Sequence, residues 1–249
     1  MNWLPELVGL DTALLLIITS TLTSMLTAAM GIGGGVLLLA VMATVVPAAA
    51  LIPVHGLVQL GSNGNRAILT REHIDWSLVR LFTAGAVIGA LIAFFVVVQL
   101  SVEVIQLCVA GFILFLVWGP KLSKQEMPPM GLVLAGAGTT LVTMFVGATG
   151  PLVAAFVYRL SYEKYRTVAT FATCMTVQHL LKMCVFGLIG FAFTDWLPLI
   201  FLMIVGGFAG TWVGLHILKK VPADRFQIIF RLLVTALALR LIWQVFSGY

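Results

Sequence analysis

Charge is what this sequence has least of. Aspartate, glutamate, lysine and arginine together make up 9% of its 249 residues, whereas a soluble globular domain carries about 25%. Hydrophobic residues make up 61%, and the mean hydropathy is +1.12. So little charge excludes an ordinary soluble domain. We predict an all-α polytopic membrane protein, because a helix satisfies its own backbone hydrogen bonds within lipid.

Acidic residues are the scarcer charged type, nine against fourteen basic residues. All nine fall in predicted loops or at the ends of apolar segments, so no carboxylate is available inside the membrane for a cation, a metal ion or a carboxylate proton relay. We therefore expect no metal and no cofactor, and an anionic ligand. No nucleophile and base stand at a recognisable catalytic spacing, which argues against an enzyme.

Cysteine is also scarce. Cys108, Cys174 and Cys184 stand singly in apolar segments without CxxC spacing, which argues against a disulfide framework and a zinc site. The net charge of +5 comes from basic residues scattered among short loops. The positive-inside rule explains such residues better than nucleic-acid binding does, so we expect a lipid bilayer and no nucleic acid as partner.

Long apolar runs dominate the rest of the chain. Runs near the length of a membrane span, about 20 residues, lie at 12–30, 76–99, 102–119, 166–190, 195–218 and 225–246. Shorter runs lie at 36–46, 51–69, 130–146 and 151–158. Two glycine-rich segments, GIGGG at 31–35 and GATGP at 147–151, separate some of these runs. Glycine costs about 1 kcal/mol relative to alanine inside a helix, so we predict that both segments interrupt a helix.

The same landmarks occur twice along the chain. The matched pairs are Gly31 and Gly147, Gly34 and Gly150, Gln59 and Gln178, Asp75-Trp76 and Asp195-Trp196, Gly85 and Gly206, and Gly89 and Gly210. Their offset drifts only from 116 to 121 residues. This regularity predicts an internal duplication, with a first membrane repeat at 1–120, a cytoplasmic linker at 121–129 and a second membrane repeat at 130–249.

The basic residues bear on topology, because clusters of them are expected in the cytoplasm. They cluster at 66–80, 121–124, 159–166 and 219–231. If each glycine segment breaks a single span, eight spans result and the last two clusters lie outside. If each is the tip of a helical hairpin, every cluster is cytoplasmic and both termini lie outside. We favour the second topology, an inverted repeat of two five-segment halves, each with a glycine-tipped broken helix hairpin.

The glycine tips are the first candidate binding elements. Each would be followed by a short helix, starting at Val36 or at Pro151 or Leu152, whose N-terminus offers unpaired amides and a partial positive charge to an anion. The predicted substrate-binding backbone comprises Gly33, Gly34, Gly35, Val36, Thr149, Gly150, Pro151 and Leu152. The alternative is that these glycines only allow helices to pack closely.

Polar side chains inside apolar segments are the second candidates. His179 and Lys182 share one helix face, next to Gln178; their partner would be an anion or the backbone carbonyls of another helix, and the sequence leaves both open. In the related segment 51–69 the polar residues at helical spacing are His55, Gln59, Ser62 and Asn63. We expect the substrate beside Gln59, Gln178, His179 and Lys182, with His55, Ser62 and Asn63 lining its pathway.

GIGGG after the first span, the two Asp-Trp pairs, HLLK at 179–182 and the matched glycines resemble the TauE/SafE family of sulfite and organosulfonate exporters. The likeness covers nearly the whole chain. The sequence departs from the family pattern at two places. The second glycine segment reads GATGP rather than GxGGG, and Ala40 stands where the family commonly has proline.

The resemblance implies a multi-pass transporter of the inner (plasma) membrane for small sulfur-containing anions such as sulfite, thiosulfate or an organosulfonate. Our hypothesis is a secondary transporter that works by alternating access. A passive anion channel or facilitator and a non-transporting membrane scaffold subunit are the alternatives. A homodimer is compatible with the sequence.

Overall fold

The computed structural model describes residues 5, 8–30, 33–97, 102–119, 127–157 and 164–217, with residues 232, 235–240, 242–243 and 245–247. Within residues 8–217 of this set, nine α-helices follow one another and no strand occurs. They are α1 (Leu10–Met30), α2 (Gly34–Val45), α3 (Ala48–Leu69), α4 (Trp76–Val96), α5 (Val102–Trp118), α6 (Pro129–Val146), α7 (Gly150–Val157), α8 (Lys164–Leu188) and α9 (Leu197–Ile217). Short 3-10 turns precede α4 and α9, at Arg71–His73 and Phe193–Trp196.

Five helical segments of the described chain are long and apolar enough to cross a membrane. They are Leu10–Ala29, Trp76–Val96, Pro129–Val146, Tyr165–Leu188 and Phe193–Gly214. The prediction of an all-α polytopic membrane protein is confirmed. Five of the six long apolar runs correspond to α1, α4, α5, α8 and α9. Half of the sixth run, 225–246, lies outside the described residues, as do the basic clusters 121–124 and 219–231.

Both glycine-rich segments separate helices, as predicted. α1 ends at Met30 and α2 begins after Gly33, whose φ is 106°; residues 31 and 32 are outside the described set. α6 ends one residue before Gly147, whose φ is 82°. Side chains strongly disfavour this left-handed backbone, so the chain needs glycine at both positions.

The helices after the breaks are short, and they begin earlier than predicted. α2 has 12 residues and α7 has 8, which corresponds to about 18 Å and 12 Å of helix, against a hydrocarbon core about 30 Å thick. Our predicted starts at Val36 and at Pro151 or Leu152 were wrong, because the helices begin at Gly34 and Gly150. The amides of a first turn have no partner within the helix, so glycine is tolerated there better than in the interior.

The two halves of the chain interlock. α1 packs along α9, and α4 packs along α6. A Cβ atom at Gly89 would clash with the backbone of Ala137, and one at Gly210 would clash with the backbone of Thr21, so these glycines serve close helix packing as the sequence indicated. Thr21 and Ala137 are 116 residues apart and Gly89 and Gly210 are 121 apart. The predicted duplication would relate these two contacts to each other, and both the duplication and the opposite orientation of the halves stay predictions.

α3 and α8 pack against each other between these helix pairs, and they carry most of the buried polar side chains. One of them, Arg66, corrects the sequence analysis. We assigned it to a basic cytoplasmic cluster at 66–80, but α3 continues to Leu69 and Arg66 is only 1% exposed. Hydropathy does not mark where a polar helix ends, so a buried arginine in its last turn was mistaken for a loop residue.

Candidate functional site

A cavity of about 30 Å³ lies where the two glycine segments meet α3 and α8. We call residues 33–36 the first tip and residues 147–152 the second tip. The cavity is lined by Thr27, Gly33, Gly35, Val36, His55, Gln59, Asn63, Ala148, Gly150, Pro151, Phe171, Met175 and His179. Two tips that are distant in the sequence therefore border one small space.

The first tip is attached to α3 through a histidine. Nε2 of His55 lies 2.9 Å from the carbonyl oxygen of Gly35, and His55 is fully buried. The position that a Cβ atom would take at Gly35 is 3.0 Å from Nε2 of Gln59, so the absence of a side chain there lets the tip approach α3. Glycine thus brings backbone and polar side chains together at the cavity wall.

The polar stripe of α3 continues from the cavity toward the end of the helix. Nδ2 of Asn63 donates to the backbone carbonyl of Gln59 at 2.9 Å and to its Oε1 at 3.2 Å. The guanidinium of Arg66 donates to Oδ1 of Asn63 at 3.4 Å. The sequence analysis missed Arg66, although its spacing continues the stripe at i, i+4, i+8 and i+11 from His55. Extending that periodicity by one turn would have found it.

The second tip is held by Lys182 of α8. Its ammonium nitrogen donates to the carbonyl of Gly147 at 2.7 Å and to the hydroxyl of Thr143 at 2.9 Å. That carbonyl also accepts from Thr143 at 3.1 Å. Lys182 thus places a positive charge against the C-terminal end of α6, where the helix dipole is negative. Of the two partners left open for Lys182, the structure shows a backbone carbonyl.

Gln178 forms a second connection behind the same tip. Its Oε1 accepts from the hydroxyl of Thr149 at 3.0 Å, and its Nε2 donates to the hydroxyls of Thr139 and Thr140 at 2.9 and 3.1 Å. The sequence analysis missed these α6 threonines, like Thr143. In the sequence they appear only as a group of hydroxyls within an apolar segment. Threonine hydroxyls often bond to a carbonyl of their own helix, so such a group does not by itself indicate contact with another helix.

The predicted site residues fall into three groups. Those on the cavity wall are Gly33, Gly35, Val36, His55, Gln59, Asn63, Gly150, Pro151 and His179. Thr149, Gln178 and Lys182 stand behind the second tip. Away from the cavity lining are Gly34, whose Cβ position lies against Thr23 and Thr27 of α1, Ser62, which contacts Ser24 at 3.3 Å, and Leu152.

Two of the amides proposed for binding are already used. The amide of Val36 donates to the carbonyl of Gly33 at 3.1 Å, and that of Leu152 donates to the carbonyl of Thr149 at 2.9 Å. Each bond closes the first turn of its own helix. The amides one or two residues earlier, at Gly35 and Gly150, have no intrahelical acceptor by their position in the first turn, and both residues line the cavity.

The charge around the cavity is positive. Arg66 and Lys182 are buried, at 1% and 0% exposure. The described acidic residues are exposed or half-buried at helix ends and loops: Asp11, Glu72, Asp75, Glu103 and Asp195. Within the described chain, no three His, Cys, Asp or Glu side chains come close enough to hold a metal ion. An anion is the ligand that such surroundings favour.

The sequence model of one family, described as sulfite exporter TauE/SafE, matches residues 16–241. The chain belongs to the TauE/SafE family. The expected resemblance is confirmed over nearly the whole chain, and membership supports export-type transport of a sulfur anion rather than catalysis. No curated protein and no solved structure matches the chain.

Proposed function

We propose that this TauE/SafE protein is a secondary transporter that binds a small sulfur-containing oxyanion in the cavity between the two tips. The observation that carries the proposal is the convergence on one cavity of two helix N-termini and two polar helices, with positive charge nearby. Helix N-termini attract anions through free amides and the helix dipole. The amides of Gly35 and Gly150 and the side-chain amides of Gln59 and Asn63 are the donors we assign to it.

The size of the cavity favours the smallest members of the substrate class. A volume of about 30 Å³ corresponds to two or three water molecules at about 10–15 Å³ each. Sulfite has four heavy atoms and thiosulfate five, whereas an organosulfonate adds a carbon chain that would require the cavity to widen. We therefore place sulfite or thiosulfate ahead of organosulfonates.

Alternating access follows from the duplication. The proposed repeats, 1–120 and 130–249, are joined by a cytoplasmic linker at 121–129 and enter the membrane in opposite orientations. Each repeat contributes one tip, so each can open the shared site to one side. The equivalent contacts of Gly89 with Ala137 and of Gly210 with Thr21 support the duplication. In this arrangement the protein lies in the inner membrane with its basic loops in the cytoplasm and both termini outside.

Uptake of labelled sulfite or thiosulfate into proteoliposomes tests the proposal. A Cβ atom added at Gly35 would lie 3.0 Å from Nε2 of Gln59, so this side chain would have to shift by a few tenths of an ångström away from the tip. The Gln59 amide is one of the assigned donors, and a hydrogen bond contributes about 0.5–1.5 kcal/mol, so we expect saturable uptake by the wild type and an apparent affinity about 2- to 10-fold weaker in Gly35→Ala. The matched control is Gly138→Ala, where the added carbon meets nothing within 4 Å.

Three results would contradict the proposal in different ways. Equal apparent affinity for the anion in Gly35→Ala and Gly138→Ala would show that the first tip is not part of the binding site. Uptake that does not saturate and shows no counterflow would indicate a channel. The absence of uptake and of anion binding by a folded protein would indicate a scaffold subunit.

A further inference from the structure

Two histidines face one another across the cavity, and transport of a preformed anion gives them no task beyond lining it. The rings of His55 on α3 and His179 on α8 meet edge-on with their centroids 6.2 Å apart. They are 0% and 1% exposed, and both line the cavity. Within the described chain, Nδ1 of neither ring has a hydrogen-bond partner.

The hydrogen bond of His55 determines which of its ring nitrogens carries no hydrogen. A carbonyl oxygen can only accept, so Nε2, which lies 2.9 Å from the carbonyl of Gly35, carries the hydrogen. In a neutral imidazole the other nitrogen then keeps a bare lone pair. Nδ1 of His55 is thus a buried acceptor without a donor, and burying such a group unsatisfied is costly. A proton or a donating ligand would satisfy it.

Lys182 is the charged side chain that the described contacts place beside the two rings. α8 brings it next to Gly56, the neighbour of His55, whereas Arg66 stands eleven residues after His55 on α3, about 16 Å further along the helix. α2, α6 and α7 have no titratable side chain. Cys174 of α8 belongs to an apolar cluster with Phe82 and Val153 and does not line the cavity. The other charged or titratable side chains whose exposure is described on α1, α4, α5, α8, α9 and the 70–75 loop are exposed or half-buried.

Because Lys182 is the nearest charged group among the described residues, a proton on either ring is opposed until a negative charge enters the cavity. We infer that the His55–His179 pair takes up one proton from solvent when the anion binds, so that the protein carries anion and proton together. The lone pair of one ring nitrogen accepts the proton, and the proton leaves when the anion leaves. Two protons are not held, because adjacent imidazolium rings beside Lys182 would repel one another. This inference rests on the proposed anion site.

Proton uptake can be measured on the purified wild-type protein by calorimetry in buffers that differ in their heat of ionisation. The probes are thiosulfate and methanesulfonate, because neither takes up a proton itself between about pH 5 and 8, where histidine titrates. Sulfite, which does titrate, serves only to detect binding. We expect uptake of about one proton per anion, and a Kd that weakens about tenfold per pH unit on the alkaline side, since the two bindings are linked.

The variants are His55→Gln, His179→Gln and the double variant. A glutamine amide at position 55 can still donate to the Gly35 carbonyl but does not titrate. We expect the folded double variant to take up no proton on binding the anion, and to bind it with a pH-independent Kd close to the weak value that the wild type approaches at alkaline pH. The pH dependence of the wild-type Kd tests the inference even where a variant does not fold.

The outcomes separate the inference from the proposed function. Anion binding by the wild type without proton uptake overturns the inference and leaves the anion site standing. Unchanged uptake in a folded double variant assigns the proton to another group and also overturns it. Failure of thiosulfate, methanesulfonate and sulfite to bind the wild type overturns both.

Discussion

The two glycine tips occupy related positions but are held by different means. Among the described contacts, one side-chain hydrogen bond, between His55 and the carbonyl of Gly35, attaches the first tip to α3. The second tip is fixed through Lys182 and Gln178 to three threonines of α6 and to its own Gly147 and Thr149. Both halves of the predicted duplication therefore have a break between helices, whereas the side chains behind the two breaks differ.

This difference suggests a division of labour. Lys182 stands 119 residues after Asn63, the same offset that relates Gln178 to Gln59. In the first half these positions present Gln59 and Asn63 to the cavity, and in the second half their equivalents lie behind the tip. We therefore expect substitutions in the second half to act mainly by altering the geometry of the tip. Substitutions in the first half should act mainly by removing contacts to the bound anion.

Removing the lysine should have the largest effect. Lys182→Met keeps the volume of the side chain but loses both hydrogen bonds and the buried positive charge. A hydrogen bond from a charged group contributes about 1.5–3 kcal/mol, so anion binding should weaken by more than about tenfold, and thermal stability should fall. An anion-dependent shift in the unfolding temperature of purified protein measures both. A folded Lys182→Met protein that binds thiosulfate like the wild type would disprove the role of this lysine.

A methyl group at Gly147 of the second tip should have the next largest effect. Gly147→Ala forces a side chain into the left-handed region, which costs about 1–2 kcal/mol, and places its Cβ atom 2.8 Å from Leu39. In the control, Gly150→Ala, the new atom meets Phe171 at 3.6 Å, an ordinary contact. We expect a lower unfolding temperature for Gly147→Ala only. Equal unfolding temperatures would mean that the tip adapts freely.

Substitution of the two related glutamines should affect different properties, protein stability for Gln178 and anion binding for Gln59. Gln178→Leu leaves the Thr149 hydroxyl without its acceptor, and a stranded buried polar group costs about 1–3 kcal/mol, so this variant should unfold at lower temperature. Gln59→Leu removes a cavity-lining amide and should weaken anion binding with less effect on unfolding. Measuring unfolding temperature and thiosulfate Kd for both variants tests the division. The reverse pattern would contradict it.

The sequence predicted the parts of this site better than their connections. Apolar runs and dense glycine located the helices and both breaks, and the spacing of His55, Gln59 and Asn63 located the cavity wall on α3. The bonds of Lys182 to Thr143 and Gly147 depend on how α8 packs against α6, which no local pattern specifies. Arg66 was missed because the positive-inside rule treats a basic residue near a helix end as part of a loop.

The smallest effect is expected at the loop before α4. There Asp75 caps α4 through the amides of Ser77 and Leu78 and forms an ion pair with Arg166 at 3.0 Å, whereas its equivalent, Asp195, is exposed and accepts a bond only from Thr194 among the described contacts. Asparagine caps a helix as well as aspartate does, so Asp75→Asn removes only the charge.

An ion pair whose arginine is half exposed contributes about 0.2–1 kcal/mol and is screened by salt. Asp75→Asn should therefore lower the unfolding temperature slightly at low ionic strength and not at high ionic strength. Asp195→Asn, which breaks no ion pair among the described residues, should have no effect at either. If the two variants respond alike, this loop does not distinguish the halves, and the asymmetry is confined to the tips.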